Sequence, residues 1–474
     1  MAITRRQVLW GAGAAAVVAG GAMVVVPVVR RPGHMEPSVP RAASVDGTSS
    51  DLPAQADVVV VGAGIMGVAT AFYLAEKGLS VVVCEKGVIA GEQSSRAYGQ
   101  ATNWGQKVDV VPMGQRSMQL WNGMNAQLGA DTSYRAYGRV QAFDNDEDIE
   151  NARKWFQEAQ AAAPQGAPLE GRFVEGAELA QLLPGATSRW KMGLYIPQDG
   201  GMEPALAAPA VARGALARGV RIVTQCAVRG LETSGGAVSA VVTEKGVIKT
   251  SRVVVAGGTW SRLLLGNADV QFPVLPVYLS QQRLSAVDGP PAVGAANMVV
   301  WRKEVSGTYS NGPRYMTAPI TRDSFVLLPN FASSLVGMLA SETPLDFTLG
   351  PDFYRSFQVQ RRWALDTQSP FETRRTMAPV HNDGTLDDCL GWIREEFPVF
   401  QQSRPVERWA GTIDVAHDQV PVVSAVPQVS GLFVMGGFTF GLTQGLGAGE
   451  LMADLVTGAP TKFDPTPYSL QRLL

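Results

Sequence analysis

Val58-Val59-Val60-Val61-Gly62-Ala63-Gly64-Ile65-Met66-Gly67 is the stretch from which the rest of the chain can be read. Four β-branched apolar residues in a row suit a strand buried on both faces of a parallel sheet. The glycines after them have separate tasks. Gly62 permits the tight turn, Gly64 lets backbone approach a pyrophosphate, and Gly67 lets a helix sit close on the sheet. A helical stretch continues through Lys77, with Ala69, Phe72, Tyr73 and Leu74 on its apolar face, and Gly78 ends it. Its N-terminus offers unpaired N–H groups to phosphates. Residues 79–84 form a second apolar strand ending at Glu85, 21 residues after Gly64, where a carboxylate can accept hydrogen bonds from a ribose. Strand, turn, helix, strand and acid in this order predict a dinucleotide site. Gly11-Ala12-Gly13 looks similar but has no strand before it.

The segment beyond the acid selects FAD over NAD. Gly91-Glu92-Gln93-Ser94-Ser95-Arg96-Ala97-Tyr98-Gly99-Gln100 is a loop of small polar residues that can wrap the far phosphate and the flavin, and a nicotinamide site has no need of it there. Two later segments end apolar strands in glycines: Val253-Val254-Val255-Ala256-Gly257-Gly258-Thr259-Trp260, and Leu432-Phe433-Val434-Met435-Gly436-Gly437. The second leads into Gly441-Leu442-Thr443-Gln444 and a helix of small residues over 445–455. Both suit strands of one sheet that deliver backbone to a bound flavin. No second GxGxxG follows a strand, which disfavours an enzyme with two such sites.

With 474 residues the chain is long enough for two or three domains, and 46% hydrophobic against 17% charged residues excludes a disordered chain. A net charge of −2 without a basic run argues against nucleic acid as a partner. Cys84, Cys226 and Cys389 are too few and scattered for a disulfide framework, and His34, His381 and His417 lack HExxH-type spacing, so no metal is expected.

At the front, Arg5-Arg6 precedes residues 8–29, which carry no charged side chain. As a helix, this run covers about 33 Å, enough to cross a bilayer. A paired arginine before a moderately apolar Gly/Ala-rich run is the pattern of twin-arginine export signals. No Ala-x-Ala site follows it, so residues 1–31 are expected as an uncleaved transmembrane anchor, with 32–52 (rich in Pro, Ser, Gly and Thr) as linker. The export pattern puts the catalytic body outside the cytoplasm, on the periplasmic side of a bacterial inner membrane.

Taken together, the early GxGxxG with Glu85, the Ser-Ser-Arg loop, Ala-Gly-Gly at 256–258, the segment from Gly411 through Asp418 to Pro421 and the glycine-rich C-terminal strand–helix resemble the D-amino-acid-oxidase-like superfamily. Thr412 stands where an arginine is common. Within that group the chain is similar to the membrane-bound L-amino-acid deaminases of Proteus type, through the Thr-Arg-Arg start, "QADVVVVGAGIMG", "AGEQSSRAYGQ", "VTEKGVIKTSRVVVAGGTWSRL" and "GTYSNGPRYMTAP". The resemblance implies oxidative deamination of L-amino acids to 2-oxo acids and ammonia. In it, hydride passes from substrate Cα to N5 of a non-covalently held FAD, and electrons go on to a quinone or cytochrome of the respiratory chain.

It also implies residue roles. FAD contacts fall to Gly62, Gly64, Ile65, Met66, Gly67, Glu85, Lys86, Gln93, Ser94, Ser95, Gly99, Gln100, Val228, Ala256, Gly257, Trp260, Gly436, Gly441, Leu442 and Thr443. Arg314 matches the family's carboxylate-binding arginine, whose fork can hold both oxygens at once. Gln100 matches a glutamine that helps hold the substrate. Tyr278, Leu279, Phe438 and Phe440 sit on cavity-lining segments. Leu279 replaces an expected glutamine and Phe440 a tryptophan, which suggests a more apolar pocket for large hydrophobic or aromatic amino acids. Residues 321–366, containing the apolar "FVLLPNFASSLVGMLA", correspond to a membrane-touching insertion, with a core segment of the substrate domain as the competing reading.

The expected architecture is α/β: a Rossmann-like FAD-binding domain assembled from 53–105, 205–262 and 405–474, and a mixed α+β substrate-binding domain from 106–204 and 263–404. Two alternatives stay open. One is a FAD-dependent D-amino-acid dehydrogenase or N-methyl amino acid oxidase or dehydrogenase. The other is a membrane-tethered flavoprotein without turnover.

Overall fold

Val58–Val61 becomes a strand with both faces covered, Val58, Val59 and Val60 having no exposed surface. Each such valine contributes about 1.5–3 kcal/mol relative to an exposed one. The computed structural model describes residues 14–19, 22–27, 38–187, 189–290, 292–296, 299–314, 316–340 and 346–474. In it this strand is third in a six-stranded sheet, ordered Arg221–Val223, Val81–Cys84, Val58–Val61, Val253–Val255, Leu432–Gly436 and Val422–Ala425. All neighbours are parallel except the last pair.

Alternation of side chains along the strands sorts the two faces. Val58 and Val60 pack with Phe72, Leu74, Val211 and Leu446, from the helices Ile65–Glu76, Pro204–Ala217 and Gly441–Thr457. Val59 and Val61 face Val238, Val241 and Ile248, from an antiparallel sheet of Val228–Ser234, Ala237–Thr243 and Gly246–Lys249. The first helix lies close on the strand–turn because position 67 has no side chain: a Cβ there would stand 1.9 Å from the Gly62 carbonyl oxygen. It stops at Lys77, and Gly78 takes the left-handed conformation (φ +82°) that such an ending favours.

The second body is a large mixed sheet. Its spine pairs Val274–Leu284 antiparallel with Pro405–Ala416, and Tyr309–Pro313, Val299–Lys303, Val293–Ala296 and Arg139–Phe143 extend it in turn. This sheet roofs the C-terminal edge of the parallel one.

One expectation is corrected. Residues 8–29, read as one spanning helix, are not one: Ala14–Ala19 and Ala22–Pro27 pair as an antiparallel ribbon. Each glycine costs a helix about 1 kcal/mol, and valine-rich arms around a Gly-Gly pair are equally a hairpin signal. The rest of 1–37, with Arg5, Arg6 and Gly11-Ala12-Gly13, lies outside the described residues. Among the described residues no helix is long and apolar enough to cross a membrane. The apolar run from Phe325 breaks into Arg322–Val326 and Leu328–Ala340. Phe325, Val326, Leu349, Tyr354 and Phe357 of the 321–366 segment are exposed, and the ribbon strand Ala22–Pro27 runs near Asp346–Thr348. Leu327 and Trp363 of the same segment are buried.

Candidate active site

The parallel strands end together, and at their C-terminal edge a cavity of about 470 Å³ opens between the two sheets. Ligands bind at this edge in open α/β sheets because loops and helix N-termini converge there. Val61, Cys84, Ala256 and Gly436 form the floor, while Leu279, Val300, Pro313 and Ile413 form the roof.

The first helix begins at Ile65, and Gly64 before it has no side chain to cap it, which leaves the Met66 and Gly67 amides of its first turn for a ligand. Ile65 N donates to Ser94 Oγ at 2.9 Å, which ties the polar loop of residues 91–100 to this turn. Glu85 braces the same region from the next strand: its carboxylate accepts from Ala63 N at 2.8 Å and Gly87 N at 2.7 Å. Burial pushes the Glu85 carboxyl up, against the pull of those two amides. A knot of Lys86, Glu92 and Trp260 closes the side. Glu92 accepts from Lys86 Nζ at 3.1 Å, Trp260 Nε1 at 3.0 Å and Met377 N at 2.7 Å. Arg96 is buried and structural, donating to Gly91 O at 3.0 Å and to Met377 O.

These residues suit a flavin dinucleotide. A Cβ on Gly62 would meet Ala256 O at 2.7 Å, and one on Gly64 would meet Ser94 Oγ at 3.2 Å, so only glycine leaves a cradle there. The buried polar atoms Gln93 Oε1, Ser261 Oγ and Thr412 Oγ1, on residues lining the cavity, lack a partner within the protein.

Of the residues expected at FAD, Gly62, Gly64, Ile65, Met66, Glu85, Lys86, Gln93, Ser94, Gly99, Gln100, Val228, Ala256, Gly257, Trp260, Gly436, Gly441 and Leu442 line this cavity. Gly67, Ser95 and Thr443 do not. Gly67, in the helix's first turn, packs on the Gly62 carbonyl, Ser95 Oγ donates to Glu92 O at 3.1 Å, and Thr443 Oγ1 accepts from Thr102 N at 3.1 Å.

On the roof, Arg314 follows the strand Tyr309–Pro313. Tyr98 holds that turn by donating to Pro313 O at 2.7 Å, and Gly312 makes room for it, since a Cβ would come within 2.6 Å of the tyrosine ring. Arg314 lines the main cavity and an adjoining one of about 400 Å³, whose wall includes Gln141, Asp148 and Trp155. Its exposed surface faces these spaces, while surrounding protein desolvates the guanidinium and lowers its pKa, a shift Asp148 opposes. Leu279, Phe438 and Phe440 are on the wall, but Tyr278 is not. Neighbours on a strand point to opposite faces, so Tyr278 turns away and donates to Asp352 Oδ2 at 2.6 Å.

Among the cavity residues that sequence reasoning missed, four stand out for their chemistry. Trp104 stands four residues past Gln100 and stacks edge-on with Phe143 and Trp155. Asp414, with its carboxyl pushed up by burial, accepts from Gly437 N at 2.9 Å. Gln281 lines the cavity while donating to Arg96 O at 2.6 Å. The fourth is Arg139, whose only signal was the alternation that sends Arg139, Gln141 and Phe143 to one side of their strand. Burial lowers the Arg139 pKa to about 10, with Asp199 opposing and Arg314 assisting.

Residues 57–455 match the family described as FAD dependent oxidoreductase. The chain belongs to that family. This FAD-dependent oxidoreductase is similar to the solved L-amino acid deaminase from Proteus myxofaciens in complex with anthranilate, at 43% identity over 94% of this chain and 99% of that one, with a TM-score of 0.88. For the L-amino acid deaminase from Proteus vulgaris the identity is 42% over 91% of this chain and 100% of that one, with a TM-score of 0.86. It is also 24% identical to the mitochondrial sarcosine dehydrogenase of Mus musculus across 90% of its own length, and spans 42% of that relative.

Proposed function

We propose that this flavoprotein oxidatively deaminates L-amino acids with large hydrophobic or aromatic side chains, giving 2-oxo acids and ammonia. The observation that carries the reading is the position of Arg314, which faces the same cavity as the glycine cradle. Bound FAD supplies the two-electron acceptor for the hydride on the substrate Cα. The chain's own residues orient and enclose. The Gly64–Ile65 turn and Ser94 would hold the phosphates, Glu85 the ribose, and Ala256, Gly257, Gly436 and Gly441 the flavin's flank. Arg314 would take the substrate carboxylate on its fork. Leu279, Phe438 and Phe440 offer an apolar wall that excludes water from the reacting carbon and suits an aromatic side chain.

Attachment to the bacterial inner membrane, with the body on the periplasmic side and electrons passed to a quinone or cytochrome, belongs to the same proposal. Its support is Arg5-Arg6 ahead of the uncharged residues 8–29, the resemblance drawn from the sequence, and the exposed apolar side chains of 321–366.

Anaerobic mixing with L-phenylalanine, D-phenylalanine and sarcosine, while flavin absorbance is followed, tests the reading. Bleaching by the L isomer alone supports it. Bleaching by D-phenylalanine or sarcosine alone overturns it in favour of the corresponding oxidoreductase, and no bleaching by a wide amino-acid panel favours a carrier without turnover.

A further inference from the structure

Arg139 is only 4% exposed, and its residue lines the main cavity. Its Nε donates to Gln100 Oε1 at 3.3 Å and its Nη2 to Gln141 Oε1 at 3.2 Å. Both acceptors are neutral amides. Among the described residues no carboxylate comes within 4.0 Å of this guanidinium. Asp199 acts on it from farther off, and burial pushes that carboxyl itself up to about 7, so its charge near neutrality is incomplete. Among the described residues Nη1 has no hydrogen-bond partner, and the residue lines the main cavity. A buried cation without an ion pair is costly, and an anionic ligand offsets the cost.

Gln100 matches a substrate-holding glutamine by sequence, but its amide is spent. Both hydrogens are taken, by Gly294 O at 2.9 Å and Trp301 O at 2.7 Å. The flipped amide would turn its oxygen onto two carbonyl oxygens, so the partners fix the orientation. Its remaining acceptor holds Arg139. Arg314 lines the same cavity and is close enough to depress Arg139 electrostatically. Two cations facing one enclosed space favour an anion placed between them.

We propose that Arg139 is the second guanidinium of the substrate carboxylate site, its Nη1 meeting the carboxylate that Arg314 anchors, while Gln100 and Gln141 are positioning residues that act through Arg139. This rests on Arg314 being the carboxylate anchor. The site then takes monocarboxylates between two forks, and the geometry explains why a glutamine at 100 matters without touching substrate.

The test is benzoate affinity of FAD-loaded enzyme, from perturbation of the flavin spectrum, with melting temperature measured alongside. Arg139→Met is expected to weaken benzoate about 10- to 100-fold, the worth of one charge-assisted hydrogen bond pair, and Arg139→Lys to restore part of it. Gln100→Leu should weaken binding less, and Gln100→Leu added to Arg139→Met should cost nothing more, because its effect runs through the missing side chain. Wild-type benzoate affinity in Arg139→Met, with loss in Arg314→Met, overturns the proposal and spares the anchor. Unchanged affinity in Arg314→Met overturns the anchor reading itself. Should Arg139→Met fail to fold, Arg139→Gln replaces it: a stable Gln variant with wild-type benzoate affinity overturns the proposal. Loss of a dicarboxylate probe (phthalate) with benzoate untouched also overturns it, since that would mark a separate anion position.

Discussion

Replacing Gly67 by alanine tests how the nucleotide is held. The added Cβ would stand 1.9 Å from the Gly62 carbonyl oxygen, and contacts under 3.0 Å force something to shift. Neither side of this contact is a flexible side chain's end, so the helix Ile65–Glu76 must retreat by about 1 Å. Its leading amides retreat with it. A backbone N–H bonded to a charged oxygen contributes about 1.5–3 kcal/mol, so losing two weakens FAD by about 3–6 kcal/mol, or roughly two to four orders of magnitude. Overpacking should cost the apoprotein about 1–3 kcal/mol as well. The assay is titration of apoprotein with FAD, following flavin fluorescence, with melts of apo and loaded forms. Gly123→Ala is the control: it lies within Val111–Leu128, a Cβ there meets nothing within 4 Å, and alanine favours helix by about 1 kcal/mol. If Gly67→Ala binds FAD as tightly as Gly123→Ala, close approach of helix to turn is not what aims the amides, and the reasoning fails.

Two further outcomes are expected from the structure. Burial holds the Asp199 carboxyl up at about 7, against Arg139, the Thr102 hydroxyl and the Asn103 amide, while the unfolded residue titrates near 3.8. Between those values the native state keeps a proton the unfolded chain has lost, so this residue's stabilisation is complete at acid pH and drains away as pH rises through about 7. Asp199→Asn should therefore gain on wild type as pH rises from about 4 to about 7 and hold that gain at higher pH, by at most about 4 kcal/mol in denaturant midpoints; a difference that ignores pH refutes this. Tyr354→Ser with Phe357→Ser should lower cosedimentation with phosphatidylglycerol-containing vesicles roughly tenfold or more, because each exposed aromatic that enters lipid contributes about 1.5–3 kcal/mol. Equal sedimentation of the double variant would remove this segment from any lipid contact.

The parallel sheet was legible because its strands are short, fully apolar and end in glycine, a pattern that buried βα units impose and solvated strands do not. Val58–Val61 and Val253–Val255 were visible for this reason. The roof was not. Arg139, on a strand that also carries Gln141, looks like any edge-strand arginine until the fold shows that its face is turned inward. Tyr278 was misplaced although strand alternation alone forbids it from sharing a wall with Leu279. Residues 8–29 carried spanning-helix length together with the hairpin composition of 14–27, and hydropathy cannot tell those apart.

The order of the six-stranded sheet constrains biosynthesis. Leu432–Gly436 lies between Val253–Val255 and Val422–Ala425. A nascent polypeptide that has not yet released residue 432 from the ribosome therefore leaves Val253–Val255 as a bare apolar edge, the kind that recruits other chains. The flank of the prosthetic group built from Gly436 and Gly441 is also missing until then. Loading with flavin is thus a late event in the life of each molecule, completed only when the strand that closes the sheet's interior is in place.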